Sequence, residues 1–236
     1  MANSERISAK TLGGLAMPDF CPRCFWIQMN VEGLPYQIFP GVFNSIDAYS
    51  KSIVHGWFDR HGGPPAWLAS LGDIRDYEPP PHYSKFQMLD AETNILLSGS
   101  PDGVLIRGDG SRVIIDYKTA KFTANQDELF PMYEAQLNAY AHIGERTWKE
   151  PVSALALIYT EPITDQAAAN DDSNISRKGF QMPFKARILP VEKKPKLVPK
   201  LLRRAREILD LKTPPPSLQG CEDCSLLAGL ISTARG

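Results

Sequence analysis

A Gly108-Asp109-Gly110 turn lies between two short apolar runs, Gly103–Arg107 and Ser111–Lys118, and it constrains the fold more than any other stretch of the chain. Glycines on either side of an aspartate supply the backbone freedom a tight hairpin needs, and the flanking runs carry the β-branched and aliphatic residues that strands favour. With those three residues as the loop, Arg107 pairs with Ser111, and the same register sets Asp102 directly opposite Asp116. Side chains alternate along a strand, so Lys118 shares a face with Asp116 while Val113, Ile115 and Tyr117 cover the other. Apolar residues on both faces mark the second strand as a central one. A slip of one residue would reverse every one of these assignments.

The remaining segments read as an α/β chain. Lys85–Leu89 and Ile95–Ser98 flank a polar turn and form a second strand pair. From Ser45 to Arg60 the apolar residues Ile46, Tyr49, Ile53, Val54, Trp57 and Phe58 recur at helical spacing, with His55 on the opposite face beside Ala48, Ser52 and Gly56. A helix is expected from Pro131 through Ile143, a strand over Val152–Thr160 and another over Phe180–Leu189, with the acidic segment Asp165–Asn174 as a mobile loop between them. Lys196–Leu211 reads as a basic amphipathic helix. The expected organisation is a flexible lead over residues 1–20, a core over 21–212, and a Pro-rich linker with a C-terminal cysteine segment over 213–236. The linker, Thr213-Pro-Pro-Pro-Ser217, is stiff enough to return that segment to the N-terminal one.

The 236 residues carry a net charge of −1, so no global positive field announces a polyanionic partner, and any such binding must come from local basic clusters. An apolar leader and a long apolar run are both missing from the sequence, which makes a cytoplasmic protein without a membrane partner the expectation. Four cysteines stand in two Cys-x-x-Cys pairs, Cys21 with Cys24 and Cys221 with Cys224. In a chain of this kind such pairs point to a metal centre more than to disulfides, and their spacing fits a tetrahedral zinc site.

Two carboxylates and an amine at the end of a buried sheet suit phosphate chemistry. A hard divalent cation takes oxygen ligands, neutralises a phosphodiester and lowers the pKa of a bound water, while a lysine orients that water or stabilises the developing charge. The competing reading is a turn aspartate with a strand-end ion pair. Eighteen residues on from Lys118, Gln136 and Tyr140 share a helical face at i and i+4. His55 reads either as a local hydrogen-bond partner or as a further ligand.

The ordered set Gly99-Ser100-Pro101-Asp102, Ile115-Asp116-Tyr117-Lys118-Thr119 and Gln136-x-x-x-Tyr140 resembles the PD-(D/E)XK nuclease superfamily, specifically its RecB-like branch. The resemblance implies a mixed β-sheet core flanked by helices, restriction-endonuclease-like, with magnesium or manganese held by His55, Asp102, Asp116 and the Tyr117 carbonyl. It implies Lys118 as the catalytic lysine and Gln136 and Tyr140 as an auxiliary pair supporting the site and the DNA strand. It further implies an iron–sulfur cluster on the cysteines, as in CRISPR-associated exonuclease and AddB-type domains. There this chain departs, with two early and two late cysteines where that group has one and three. The expected function is a metal-dependent DNA exonuclease acting on single strands or duplex ends, alone or with other proteins of a DNA-processing, repair or CRISPR adaptation complex. The rival is a catalytically degenerate nucleic-acid-binding subunit of such a complex.

Overall fold

The computed structural model describes residues 5–32, 41–122 and 128–235. It opens with strand β1 (Glu5–Ser8) and helix α1 (Ala9–Gly14), followed by α2 (Pro22–Asn30) and α3 (Gly41–His61). A 3-10 turn at Ala66–Leu71 leads into β2 (Ile74–Glu78), β3 (Gln87–Asp90), β4 (Ile95–Ser98), β5 (Gly103–Arg107) and β6 (Arg112–Lys118). Then come α4 (Phe130–Thr147), β7 (Val152–Pro162), the short α5 (Gln166–Ala169), a two-strand ladder of β8 (Ile175–Ser176) and β9 (Gly179–Phe180), β10 (Phe184–Val191), α6 (Leu197–Leu209) and α7 (Glu222–Arg235).

The main sheet has five strands in the order β10-β7-β6-β5-β2, with β6 and β7 parallel and the remaining neighbours antiparallel. The β5–β6 hairpin keeps the register that its turn dictates: Gly103 faces Ile115, Val104 faces Ile114, and the Arg107 N–H donates to the Ser111 carbonyl at 2.9 Å. Gly110 sits at φ +81°, a conformation that costs glycine nothing, and Asp109 accepts from the Ser111 N–H at 2.9 Å. Central strand β6 divides the core. On one side Ile114 packs with Leu137, Leu155 and Leu157 beneath α4; on the other Val113, Ile115 and Tyr117 pack with Val54 and Phe58 of α3. At roughly 2 kcal/mol for each fully buried aliphatic side chain, these two layers hold the end of β6 firmly between them.

The first residues depart from the flexible lead expected of them. β1 pairs in parallel with β4, Ile7 opposite Leu97, in a three-stranded sheet of order β1-β4-β3. Ser8 caps α1 by accepting from the Thr11 N–H at 3.0 Å, and Ile7, Ala9, Leu12 and Leu15 are all buried. Elements this short carry too few apolar residues to show a period, yet β1 buries Ile7 beside β4 and α1 packs on α4 and α6. In α3 only Val54 and Phe58 of the apolar stripe are buried, whereas Tyr49, Ile53 and Trp57 face outward. The acidic segment after β7 is built of small capped turns: Asp165 accepts from Ala168 N–H at 2.8 Å and Asp171 from Ser173 N–H at 2.9 Å. The last strand of the main sheet starts at Phe184 rather than Phe180, because Phe180 belongs to the β8–β9 ladder. Among the described residues no helix is long and apolar enough to cross a membrane.

Candidate active site

Pro101 explains why the hairpin stops where it does. The last β5–β6 pair is Gly103 with Ile115; counted two residues further, the next bonded position would set Pro101 against Tyr117, and proline has no N–H to offer there. The ladder ends there, and the Asp102 carboxylate takes over: its Oδ2 accepts from the Tyr117 N–H at 2.9 Å. The Asp102 carboxylate is thereby anchored on the Tyr117 main chain at the end of β6.

Asp116 lies across from Asp102 and is only 3% exposed. Its Oδ1 accepts from Gln136 Nε2 at 3.3 Å, and its Oδ2 contacts the Lys118 ammonium. Burial first, and then the negative charge of Asp102, push the Asp116 carboxyl up to about 7, while Lys118 pulls it the other way. Lys118 reaches this position along the shared strand face, with its Nζ 4.2 Å from the centre of the Tyr133 ring. Gln136 spends its second amide hydrogen on the Tyr140 hydroxyl at 2.8 Å. Tyr140 is itself fixed by a close approach: a Cβ on Gly99 would lie 2.5 Å from Tyr140 Cε1. The chain Gly99–Tyr140–Gln136–Asp116 therefore ties a loop, a helix and a strand to one carboxylate oxygen.

Lys51 is a residue that spacing did not single out. From α3 its Nζ donates to Asp102 Oδ1 and Asp47 Oδ2, each at 2.7 Å. Burial works against its charge, but Asp102 and then Asp47 more than offset that, and its pKa rises. The only sequence signal was an i, i+4 acid–lysine pair on α3, which is common on any exposed helix. His55 follows one turn later, its ring stacked on Tyr77 with centroids 4.3 Å apart and planes 11° from parallel. Burial lowers the His55 pKa, with Lys51 adding to the effect and Asp59 opposing it, so the neutral imidazole that can act as a ligand is favoured. Asp102 and Asp116 face each other, but His55 does not close with them into a tight set. Among the described residues, the group of three or more such side chains with ligand atoms all within 4.8 Å of one another is the four cysteines.

The donor set suits a divalent cation: two opposed carboxylates, one of them buried, beside the Tyr117 main chain at the end of β6. Two ammonium groups, Lys51 on Asp102 and Lys118 on Asp116, supply the positive charge that such a pair demands. The arginines of α6 are engaged elsewhere. Arg203 pairs with Glu92, Arg204 donates to the Leu15 carbonyl at 2.7 Å, and Arg206 pairs with Asp210.

The Pro-rich segment brings α7 against α2. Cys21 and Cys224 have their sulfurs 3.7 Å apart, and Cys24 lies 3.5 Å from both Cys221 and Cys224. Burial works to raise the Cys21 thiol, but hydrogen bonds from the Leu218 and Cys24 backbone and from the neighbouring thiols bring it down to about 6.

No curated protein matches the chain. It is similar to a solved structure titled "Crystal structure of SSO0001", at 11% identity and a TM-score of 0.44, over 91% of this chain and 79% of that one. A family model described as the PD-(D/E)XK nuclease superfamily matches residues 53–228, a span that takes in His55, Asp102, Asp116, Lys118, Gln136, Tyr140 and the two late cysteines. With that match over most of its length, the chain belongs to the PD-(D/E)XK nuclease superfamily.

Proposed function

We propose that this protein is a magnesium- or manganese-dependent deoxyribonuclease of the RecB-like branch, an exonuclease that attacks single-stranded DNA or duplex ends. The observation that carries the reading is the pair of opposed carboxylates, Asp102 and Asp116, with the Lys118 ammonium against the second of them. Asp102, Asp116 and the Tyr117 carbonyl would hold the cation, and His55 on α3, which stands outside that tight set, would be the further ligand that the resemblance implies. When bound, the cation neutralises the scissile phosphate and acidifies a water.

The protein's own groups do the rest. Lys118 orients the attacking water and stabilises charge on the pentavalent phosphorus, from a position fixed by Asp116 and the Tyr133 ring. Gln136 holds Asp116 through Oδ1, and Tyr140 holds Gln136. This second tie limits the freedom of a carboxylate that would otherwise turn away from Asp102. Exposed aromatic faces on the α3 side, Tyr49, Trp57 and Trp67, suit unpaired bases better than a stacked duplex. The four thiolates hold a structural metal, an iron–sulfur cluster or zinc, that clamps the two ends of the chain.

The test is digestion of DNA with manganese or magnesium, supplied as a single strand and a blunt duplex each labelled at one end, and as an internally labelled closed circle. An exonuclease releases short products from the first two and leaves the circle intact. Cleavage of the circle would replace the exonuclease assignment with an endonuclease. Metal-dependent DNA binding without cleavage of any form would replace catalysis with a binding role.

A further inference from the structure

We infer that Cys21, Cys24, Cys221 and Cys224 hold one tetrahedral zinc ion, and not the iron–sulfur cluster that the family resemblance implies. The inference is independent of what the carboxylate site does. It stands on the distances between sulfurs. Three of them across the two pairs are 3.5, 3.5 and 3.7 Å, and all four sulfurs lie within 4.8 Å of one another. A tetrahedral ion with metal–sulfur bonds of about 2.3 Å sets its ligand sulfurs about 3.8 Å apart. A four-iron cluster interposes its own irons and sulfides and spreads the cysteine sulfurs to about 6 Å.

A two-iron cluster fails for a different reason. Each iron takes two cysteines, so each sulfur has a single near neighbour, whereas Cys24 has two, Cys221 and Cys224, both at 3.5 Å. Disulfides are excluded as well, since all four cysteines are free and a disulfide closes to about 2.05 Å. The sulfurs stand where one ion at their centre reaches each of them.

Backbone dipoles around the site offset part of its charge, against the acidic Glu222 and Asp223 in the first turn of α7. Four thiolates around a dipositive ion carry a net charge of −2. Each pair begins a helix: Cys21 accepts at its carbonyl from the Phe25 N–H at 3.2 Å, and Cys221 does the same from Ser225 at 3.1 Å. The N-terminal ends of α2 and α7 therefore converge on the thiolates with their positive dipoles. The Leu218 N–H adds a hydrogen bond to Cys21 Sγ at 3.3 Å, which fixes that ligand and spreads its charge. The stiff segment before Cys221 carries this donor, so the linker both returns the C-terminus and completes the site.

The full chain is expressed with iron and zinc both in supply and purified without oxygen, so that a labile cluster would survive. Zinc, iron and acid-labile sulfide are then counted. The expected result is about one zinc per chain, no sulfide and no visible colour, since a structural tetrathiolate site binds zinc tightly. Cobalt exchanged into the site should give the intense visible bands of tetrahedral thiolate coordination. Iron with sulfide, iron alone, or no metal would each overturn the inference. Cys24→Ser should lose the zinc; should that variant fail to fold, the metal count on the unaltered chain still decides. DNA cleavage plays no part in the measurement, so a failed nuclease assay would leave it standing.

Discussion

Replacing Lys51 with methionine should make the protein bind manganese more tightly. The lysine ammonium lies 2.7 Å from Asp102 Oδ1, the oxygen a cation would take, so metal binding has to displace it. Both side chains are partly shielded, at 24% and 22% exposure, which puts their ion pair at the upper end of the range for pairs near a surface, about 1 kcal/mol. Removing the competitor returns that energy to the metal, and about 1 kcal/mol corresponds to roughly a fivefold lower Kd. Methionine keeps the length and apolar stem of lysine, so the packing of this α3 side chain changes little. Titration of manganese followed by the loss of the free-ion electron paramagnetic resonance signal reads this without any turnover. Lys51→Arg keeps the charge and should stay near the unaltered protein, and added salt should narrow the gap between the lysine and methionine forms. Unchanged or weaker manganese binding by Lys51→Met would refute the idea that Lys51 neutralises a metal-binding oxygen.

Three further outcomes follow from the same geometry. Gly99→Ala places a methyl 2.5 Å from Tyr140 Cε1 and should cost about 1–3 kcal/mol of stability, read as a lower Tm, because a buried ring has to move. In metal-free protein the Asp116 carboxyl, raised from 3.8 to about 7, keeps a proton that the unfolded chain has already lost, so stability falls as pH rises through that window; urea midpoints between those limits should fall less steeply for Asp116→Asn. Gln136→Leu removes the donor to Asp116 Oδ1, which favours the protonated acid, so the pH at which manganese binding sets in should move upward by titration.

The hairpin was legible in the sequence because its information is local. A three-residue turn with glycine at its positive-φ position fixes a register, and the register alone sets Asp102 across from Asp116 and Lys118 beside it. The Pro-rich return of Cys221 and Cys224 toward Cys21 and Cys24 was readable for a related reason: paired cysteines and a stiff linker leave few other arrangements. Contacts made between distant segments were not readable. Lys51 meets Asp102 across 51 positions, and His55 meets Tyr77 across a loop and a 3-10 turn, with no periodicity to link either pair. The first strand and helix were hidden by brevity, since Ile7, Leu12 and Leu15 are too few to reveal a pattern yet are nearly inaccessible in the fold. The basic face of α6 was readable as such, but not the partners of its arginines, which spend their charge on Glu92, Asp210 and the Leu15 carbonyl.

The most direct measurement compares the unaltered protein with Asp116→Asn and Lys118→Met for manganese binding and for cleavage of end-labelled single-stranded DNA, side by side. Catalysis built on this site predicts that Asp116→Asn loses both and that Lys118→Met binds the ion but no longer cuts. DNA cleavage that persists undiminished in both variants would place the chemistry elsewhere in the molecule.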